Sequence, residues 1–190
     1  MGVTDAGVPM DKVALERRID ASRATLEALF DMHDEAQLLA ATDDVGWSAR
    51  DHFHHLAAWE EFEILRERGP EAYAVFGLPD KASYDVLLAQ EPDFRAVNEH
   101  IRRHGQALTL AEVRAYARRA RVEAKALLAT FSEAALLSPS KPEGPASMTF
   151  MAIVAGNSYE HDDEHRRYIE TLLARGTHSA SAAEKIEERD

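Results

Sequence analysis

The 190-residue sequence contains no cysteine. Disulfides, zinc–thiolate centres, iron–sulfur clusters and a cysteine nucleophile are thereby excluded, and any metal must be held by His, Asp or Glu. No uninterrupted apolar run approaches the ~18 residues that a membrane span needs. The stretch from Met1 to Pro9 has neither the basic start nor the apolar core of a secretory signal, so the cytoplasm is the expected compartment. Positive charge is scarce: 22 Lys and Arg face 34 Asp and Glu, a formal net charge of -12. Such a surface offers nothing broad to a phosphate backbone and is repelled by an anionic leaflet, so neither nucleic acid nor membrane is an expected partner. Val/Ile-rich alternating runs bounded by turn residues are also missing, which argues against a sheet. What is present is 45% hydrophobic residues, recurring at helical spacing, enough for one soluble all-α domain with a real core.

The spacing predicts four long helices. Leu15, Ile19, Ser22, Leu26, Leu29 and Phe30 form one stripe from Asp11 to about Met32, and a short helix follows at 34–39. Ser48 with Asp51 has the form of a capping box, and Trp47 before it serves as a staple, so a second helix should run from there to Gly69-Pro70. A long crossover follows, with helical pieces at 83–89 and 93–104. Thr109 with Glu112 opens a third long helix carrying Val113, Tyr116, Ala117, Ala120, Ala124, Leu127, Leu128 and Phe131. The loop 138–145, rich in proline, ends it. A fourth helix should begin near Ser147 or Thr149 and reach about Ala174, with Gly176 as its C-terminal cap. The expected plan is a flexible start at 1–9, a four-helix bundle with a crossover between its second and third helices at 10–175, and a polar tail at 176–190 that frays.

Nine histidines are present, and helical phase selects among them. On the fourth helix Phe150, Val154, Asn157, Ser158, His161, His165, Tyr168 and Leu172 fall in one arc, with Glu160, Asp162, Asp163, Glu164, Arg166, Arg167 and Glu170 outside it. Two imidazoles four residues apart on an inward stripe are costly unless both are satisfied, and one divalent cation satisfies both. A third ligand should come from the second helix, where His52, His55, Trp59 and Phe62 share a flank and His54 lies away from it; phase alone does not choose between His52 and His55. The alternative is that such histidines are structural, hydrogen-bonded to carbonyls or buried acids. His100 and His104 repeat the spacing off their helix's apolar stripe and are expected in solvent. A carboxylate-bridged two-metal site is disfavoured, because the acid three residues before His165 is the outward-facing Asp162.

The segment Trp47-Ser48-Ala49-Arg50-Asp51-His52-Phe53-His54-His55-Leu56-Ala57-Ala58-Trp59-Glu60 resembles the second-helix signature of the DinB-like bundle superfamily, in which a helix opening on Trp-Ser carries a histidine eight residues after the Trp, here His55. Ala155-Gly156-Asn157-Ser158-Tyr159-Glu160-His161-Asp162-Asp163-Glu164-His165 is similar to the fourth-helix signature Gly-Asn-Thr-Tyr-Glu-His-x3-His of one branch, the ClbS/DfsB (colibactin self-resistance) proteins. The crossover run Val97-Asn98-Glu99-His100-Ile101-Arg102-Arg103-His104, followed by Leu110-Ala111-Glu112-Val113, is similar to that branch as well. The resemblance spans about 10–175 and implies a three-histidine metal site at His55, His161 and His165. It also implies chemistry on small molecules: relatives include thiol-dependent isomerases and S-transferases, and the branch includes a protein that hydrolyses a strained electrophilic cyclopropane in a genotoxin. This chain departs from the branch at Asp162, where an aromatic is common, and in the loop 141–146, which lacks the usual aromatics.

Three neutral imidazoles around a zinc or nickel ion would leave open positions for a water nucleophile, a substrate oxygen or an external low-molecular-weight thiol. His52, Trp59, Asn157 and Tyr168 are the residues expected around the ligands. The sequence leaves three readings open: a metal-dependent hydrolase or thiol transferase acting on a small molecule, a protein that sequesters such a molecule without turnover, and a metal-free structural bundle. Bundles of this class often form homodimers, but no stripe identifies an interface.

Overall fold

The computed structural model describes residues 11–40, 42–65, 69–90, 93–139 and 149–187, with side chains described as far as Arg175 except that of Ile64. The first helix, α1 (Lys12–Asp31), starts where the Asp11 carboxylate accepts the Ala14 amide at 2.7 Å. A short α2 (Glu35–Ala40) follows, its start closed by reciprocal bonds between Asp34 and Gln37. The second bundle helix, α3 (Ala49–Leu65), opens on the expected box: the Asp51 amide donates to Ser48 Oγ, and the Ser48 amide donates to Asp51 Oδ2. Each such cap satisfies backbone donors that the first helical turn leaves unpaired.

The crossover holds α4 (Lys81–Gln90) and α5 (Arg95–Gly105), preceded by a 3-10 turn at Pro70–Phe76. Gly69-Pro70 reads in sequence as a stop, yet a proline's missing N–H and fixed φ suit the first position of a new helical turn equally well. Gly77 ends that turn at φ 74°, a left-handed conformation that a glycine adopts without strain. The third bundle helix, α6 (Leu110–Thr130), carries the Thr109–Glu112 box, and a single turn, α7 (Glu133–Leu136), follows. The predicted loop at 138–145 lies mostly outside the described residues.

The predicted fourth helix is two. Thr149 caps α8 (Phe150–Gly156), which stops at Asn157, and α9 (Tyr159–Glu187) begins after Ser158. Gly156, Asn157 and Ser158 are weak helix formers in a row, and the Ser158 hydroxyl bonds back to the Val154 carbonyl, a competing local contact. At the other end, Gly176 is not a cap: α9 passes through it to Glu187. The ~1 kcal/mol penalty of one helical glycine is outweighed by the good helix formers Ala180, Ala182, Ala183, Glu184 and Lys185 that follow.

In the bundle, α3 packs against α6, α9, α5 and the 3-10 turn, while α1 packs against α9 and α8. Lys12 reaches the carbonyls of Ala129 and Phe131, and Asp20–Lys125, Glu27–Arg118 and Asp31–Arg114 pairs run α1 antiparallel to α6. Three apolar clusters make the core, around Phe30, Phe53 and Ile169, around Trp59, Phe62 and Phe76, and around Leu15, Leu128 and Met151. Each large buried side chain contributes ~1.5–3 kcal/mol. No strand occurs among the described residues, whose only bridges are Thr42 with Ser48 and Pro139 with Thr149. No described helix is long and apolar enough to cross a membrane.

Candidate metal centre

His55, His161 and His165 converge. Each offers one ring nitrogen such that the three lie within 4.8 Å of one another. His55 comes from the second turn of α3, and His161 and His165 from the first two turns of α9. His55 Nε2 and His161 Nε2 are 3.2 Å apart, close to the ~3.3 Å that separates two nitrogens bound at ~2.05 Å to one tetrahedral ion. The far nitrogens, His55 Nδ1 and His161 Nδ1, are buried with no hydrogen-bond partner.

His52 joins the cluster without being one of the three. Its Nδ1 lies 2.9 Å from His165 Nδ1, while Asp43 Oδ2 stands 3.3 Å from its Nε2, near enough for its charge to act but out of line for a full hydrogen bond. The Asp43 charge favours a proton on His52 Nε2; His52 Nδ1 then accepts from His165 Nδ1–H, and the lone pair of His165 is left on Nε2. Asp43 is itself fixed by a tight turn, its Oδ1 accepting the Val45 and Trp47 amides and Gly46 taking φ 86°. The Asp-Asp-Val-Gly run carries the residues such a turn needs, a signal that helical phase does not pick up.

Electrostatics keep the rings neutral. Burial pushes His55 and His165 well below the ordinary imidazole value, with the neighbouring histidines adding to the effect. Burial brings His161 down to about 4, and it lowers His52 too, where Asp43 opposes it. Neutral imidazole is the form that ligates a cation. Three neutral rings with converging lone pairs, His55 buried and His161 and His165 half-buried, fit a divalent ion, and the donor set, all nitrogen, suits zinc or nickel better than calcium or magnesium.

Aromatic walls surround the cluster. Trp47 lies 5.3 Å from both His52 and His55, and Trp59 lies 6.3 Å from His55 and donates from Nε1 to Asn98 Oδ1. Phe94 sets its edge 5.7 Å from Trp59 from a backbone held at φ 65°, a left-handed conformation that costs a residue with a side chain ~1–2 kcal/mol. His54, away from the cluster as its phase implied, is nonetheless buried: its ring lies against Tyr116 and against the backbone of Gly105, where any Cβ would collide with it. Of the second pair, His104 is exposed and His100 half-buried.

The expected arc of the fourth helix needs two corrections. Tyr168 is 54% exposed rather than in the core, although it still stacks over His52 at 6.5 Å and lies 6.0 Å from His165. Asp162 is 1% exposed rather than outward. The core face of α9 is centred on Tyr159, Asp162, Ile169 and Leu173, about one residue on from the predicted arc, and the buried Met151 and Ala155 of α8 are displaced from it by the same amount, so the buried face of both helices lies one residue later than the apolar pattern implies. Asn157 does not join the histidines: its side-chain amide donates to the Ile153 carbonyl, and it lines a separate cleft with Ile19, Glu60, Leu128, Phe150 and Val154.

Comparison with known proteins adds the following. A family model described as the DinB superfamily matches residues 18–169. A crystal structure of an uncharacterised protein from Escherichia coli UTI89 is similar with a TM-score of 0.69 and 14% identity, over 90% of this chain and 96% of that one. At that identity the likeness shows the fold alone. No curated protein matches the chain.

Proposed function

The chain belongs to the DinB superfamily, and from that premise we propose that it binds a divalent metal, zinc or nickel, through His55, His161 and His165 and acts on a small electrophilic molecule by hydrolysis or by transfer of an external thiol. The observation that carries the reading is the convergence of three imidazoles, one buried and two half-buried, each offering a ring nitrogen within 4.8 Å of the others. When bound, such an ion supplies a Lewis acid that activates water, polarises a substrate oxygen or holds a thiol as thiolate. The chain's own groups do the rest. His52, biased by Asp43, holds His165 in the tautomer that presents Nε2. Trp47 and Trp59 wall the cluster on the α3 side and keep bulk water from the buried His55. Tyr168, half in solvent, gives an apolar substrate a ring to rest on. With no cysteine in the chain, any sulfur nucleophile is a cosubstrate.

The finer placement, in the ClbS/DfsB branch, is supported by the run from Gly156 to His165 and by the crossover motif, and it favours a toxic electrophile as substrate. Protein purified without a histidine tag should carry about one equivalent of metal, and His161→Ala should abolish it. Substoichiometric protein that consumes many equivalents of an activated electrophile, with and without glutathione, supports the enzyme. Consumption that stops at one equivalent makes it a trap, and absence of metal from the wild type overturns the reading.

A further inference from the structure

Beside the histidines, four charged side chains meet inside the bundle, one from each of α1, α3, α6 and α9. Arg23 donates from Nε to Asp162 Oδ2 at 3.2 Å and from Nη2 to Asp162 Oδ1 at 3.0 Å and Glu60 Oε2 at 3.3 Å. Arg121 donates from Nη2 to Asp162 Oδ2 at 2.8 Å, and its Nε lies 3.0 Å from Glu60 Oε1, out of line for a hydrogen bond. The contacts close a ring of alternating charge, Asp162–Arg23–Glu60–Arg121, and every member is buried.

Stability does not account for the ring. Two ion pairs removed from water cost several kcal/mol per ion before their attraction is counted, and apolar residues of the same volume commonly serve as well. Its geometry has another use. The two acids sit on the two helices that carry the histidines, Glu60 five residues after His55 on α3 and Asp162 next to His161 on α9, and they do not touch each other. Each arginine, from a helix with no ligand, contacts both acids. Arg23 also lies over Phe53, two residues before His55, at 5.3 Å from the ring centroid. On α9 Asp162 is ~100° round the axis from His161 and ~60° from His165. Clamping Asp162 from two sides therefore fixes the rotation of α9, and with it the direction of both imidazoles. Helical hydrogen bonding is interrupted at 157–158, so a contact beyond the break holds α9 directly.

We propose that Arg23, Glu60, Arg121 and Asp162 are positioning residues for the histidine centre: the closed ring sets the rotation and spacing of α3 and α9 so that His55, His161 and His165 converge. The inference deepens the metal reading above and rests on it for its affinity arm, so the experiment has a second arm that needs no metal. Wild type and Asp162→Asn, which keeps the shape and removes the charge, are compared as full-length chains. The first arm is cobalt(II) affinity and visible spectrum. The second is the nuclear Overhauser effect between the His55 and His161 rings in metal-free protein, with Phe30–Phe53 as the reference pair. The expected result is at least ~10-fold weaker cobalt binding, with weakened visible bands and a lost His55–His161 contact while Phe30–Phe53 persists. Lowered thermal stability with affinity, spectrum and ring contact unchanged overturns the proposal. Should Asp162→Asn fail to fold, the fourfold variant Arg23→Met, Glu60→Met, Arg121→Met, Asp162→Leu, which leaves no buried charge, is measured in the same two arms: losses in both support the proposal, and unchanged affinity and ring contact overturn it. If the wild type takes up no cobalt, the metal reading falls, and the ring is judged on the His55–His161 contact alone.

Discussion

Two polar clusters lie side by side in the interior of this bundle and solve the problem of burial in opposite ways. The ring of Asp162, Arg23, Glu60 and Arg121 is balanced in charge, each member facing two of the opposite sign, although Arg23 Nη1, Glu60 Oε1 and Arg121 Nε and Nη1 have no hydrogen-bond partner. The cluster of His55, His161 and His165 is incomplete, with ring nitrogens turned toward one another and others buried without a partner. Burying polar groups is tolerable only when they are satisfied. A cluster whose charges the protein itself balances needs no ion from outside, whereas neutral rings whose nitrogens face one another leave a place for a cation. The histidines escape part of the penalty by staying neutral, a route not open to arginine.

The sharpest way to break this contrast is to open the ring. Asp162→Ala strands two buried guanidinium groups and should destabilise the fold by about 3–5 kcal/mol in urea denaturation, whereas the fourfold apolar variant should cost much less than that single change. Next in size, metal at 100 times its Kd should stabilise the native state by about 2.7 kcal/mol, seen as a fall in Tm on chelation; Asp43→Asn should reduce but not remove that gain.

Acid should act on the incomplete cluster. His161 is held down at about 4 and His55 and His165 well below 6.5 by burial. On acidification the unfolded chain takes up these protons first. Their contribution is therefore complete above pH 6.5 and is lost as the pH falls toward 4, by about 1.4 kcal/mol per unit for each histidine. Metal-free protein should show that slope, and metal-loaded protein should also release its ion over the same window. Smallest of all, Thr149→Ala removes the α8 cap, whose hydroxyl accepts the Ala152 amide, and should cost about 1 kcal/mol with metal affinity unchanged.

The bundle is legible in the sequence because capping chemistry and apolar periodicity are local. Asp11, Ser48 with Asp51, and Thr109 with Glu112 each start a helix as expected. The histidine convergence is legible in part: spacing pairs His161 with His165, phase narrows the partner to His52 or His55, and the resemblance chooses His55. The ring is not legible. Arg23, Glu60 and Arg121 read as ordinary surface charges on amphipathic helices, and only their mutual contact, across separations of 37 to 139 residues, reveals them. Asp162 is misplaced for a different reason: the buried face through Met151, Ala155, Asp162, Ile169 and Leu173 lies one residue on from the arc through Phe150, Val154 and His161, and a carboxylate in that register gives no apolar signal. Phe94 stays hidden because a left-handed backbone at a phenylalanine has no propensity signature.

The break at 157–158 divides the chain for mutational purposes. A residue inserted or deleted within 150–156 changes where α8 ends, but Asp162 still seats α9, and His161 and His165 keep their bearing toward α3. The same single-residue change at 163 or 164 turns His165 by about 100° relative to His161 and takes it off the shared point. Length changes at 163–164 should thus fall on the histidines, whereas those at 150–156 should fall on the packing of Met151, Ala152 and Ala155.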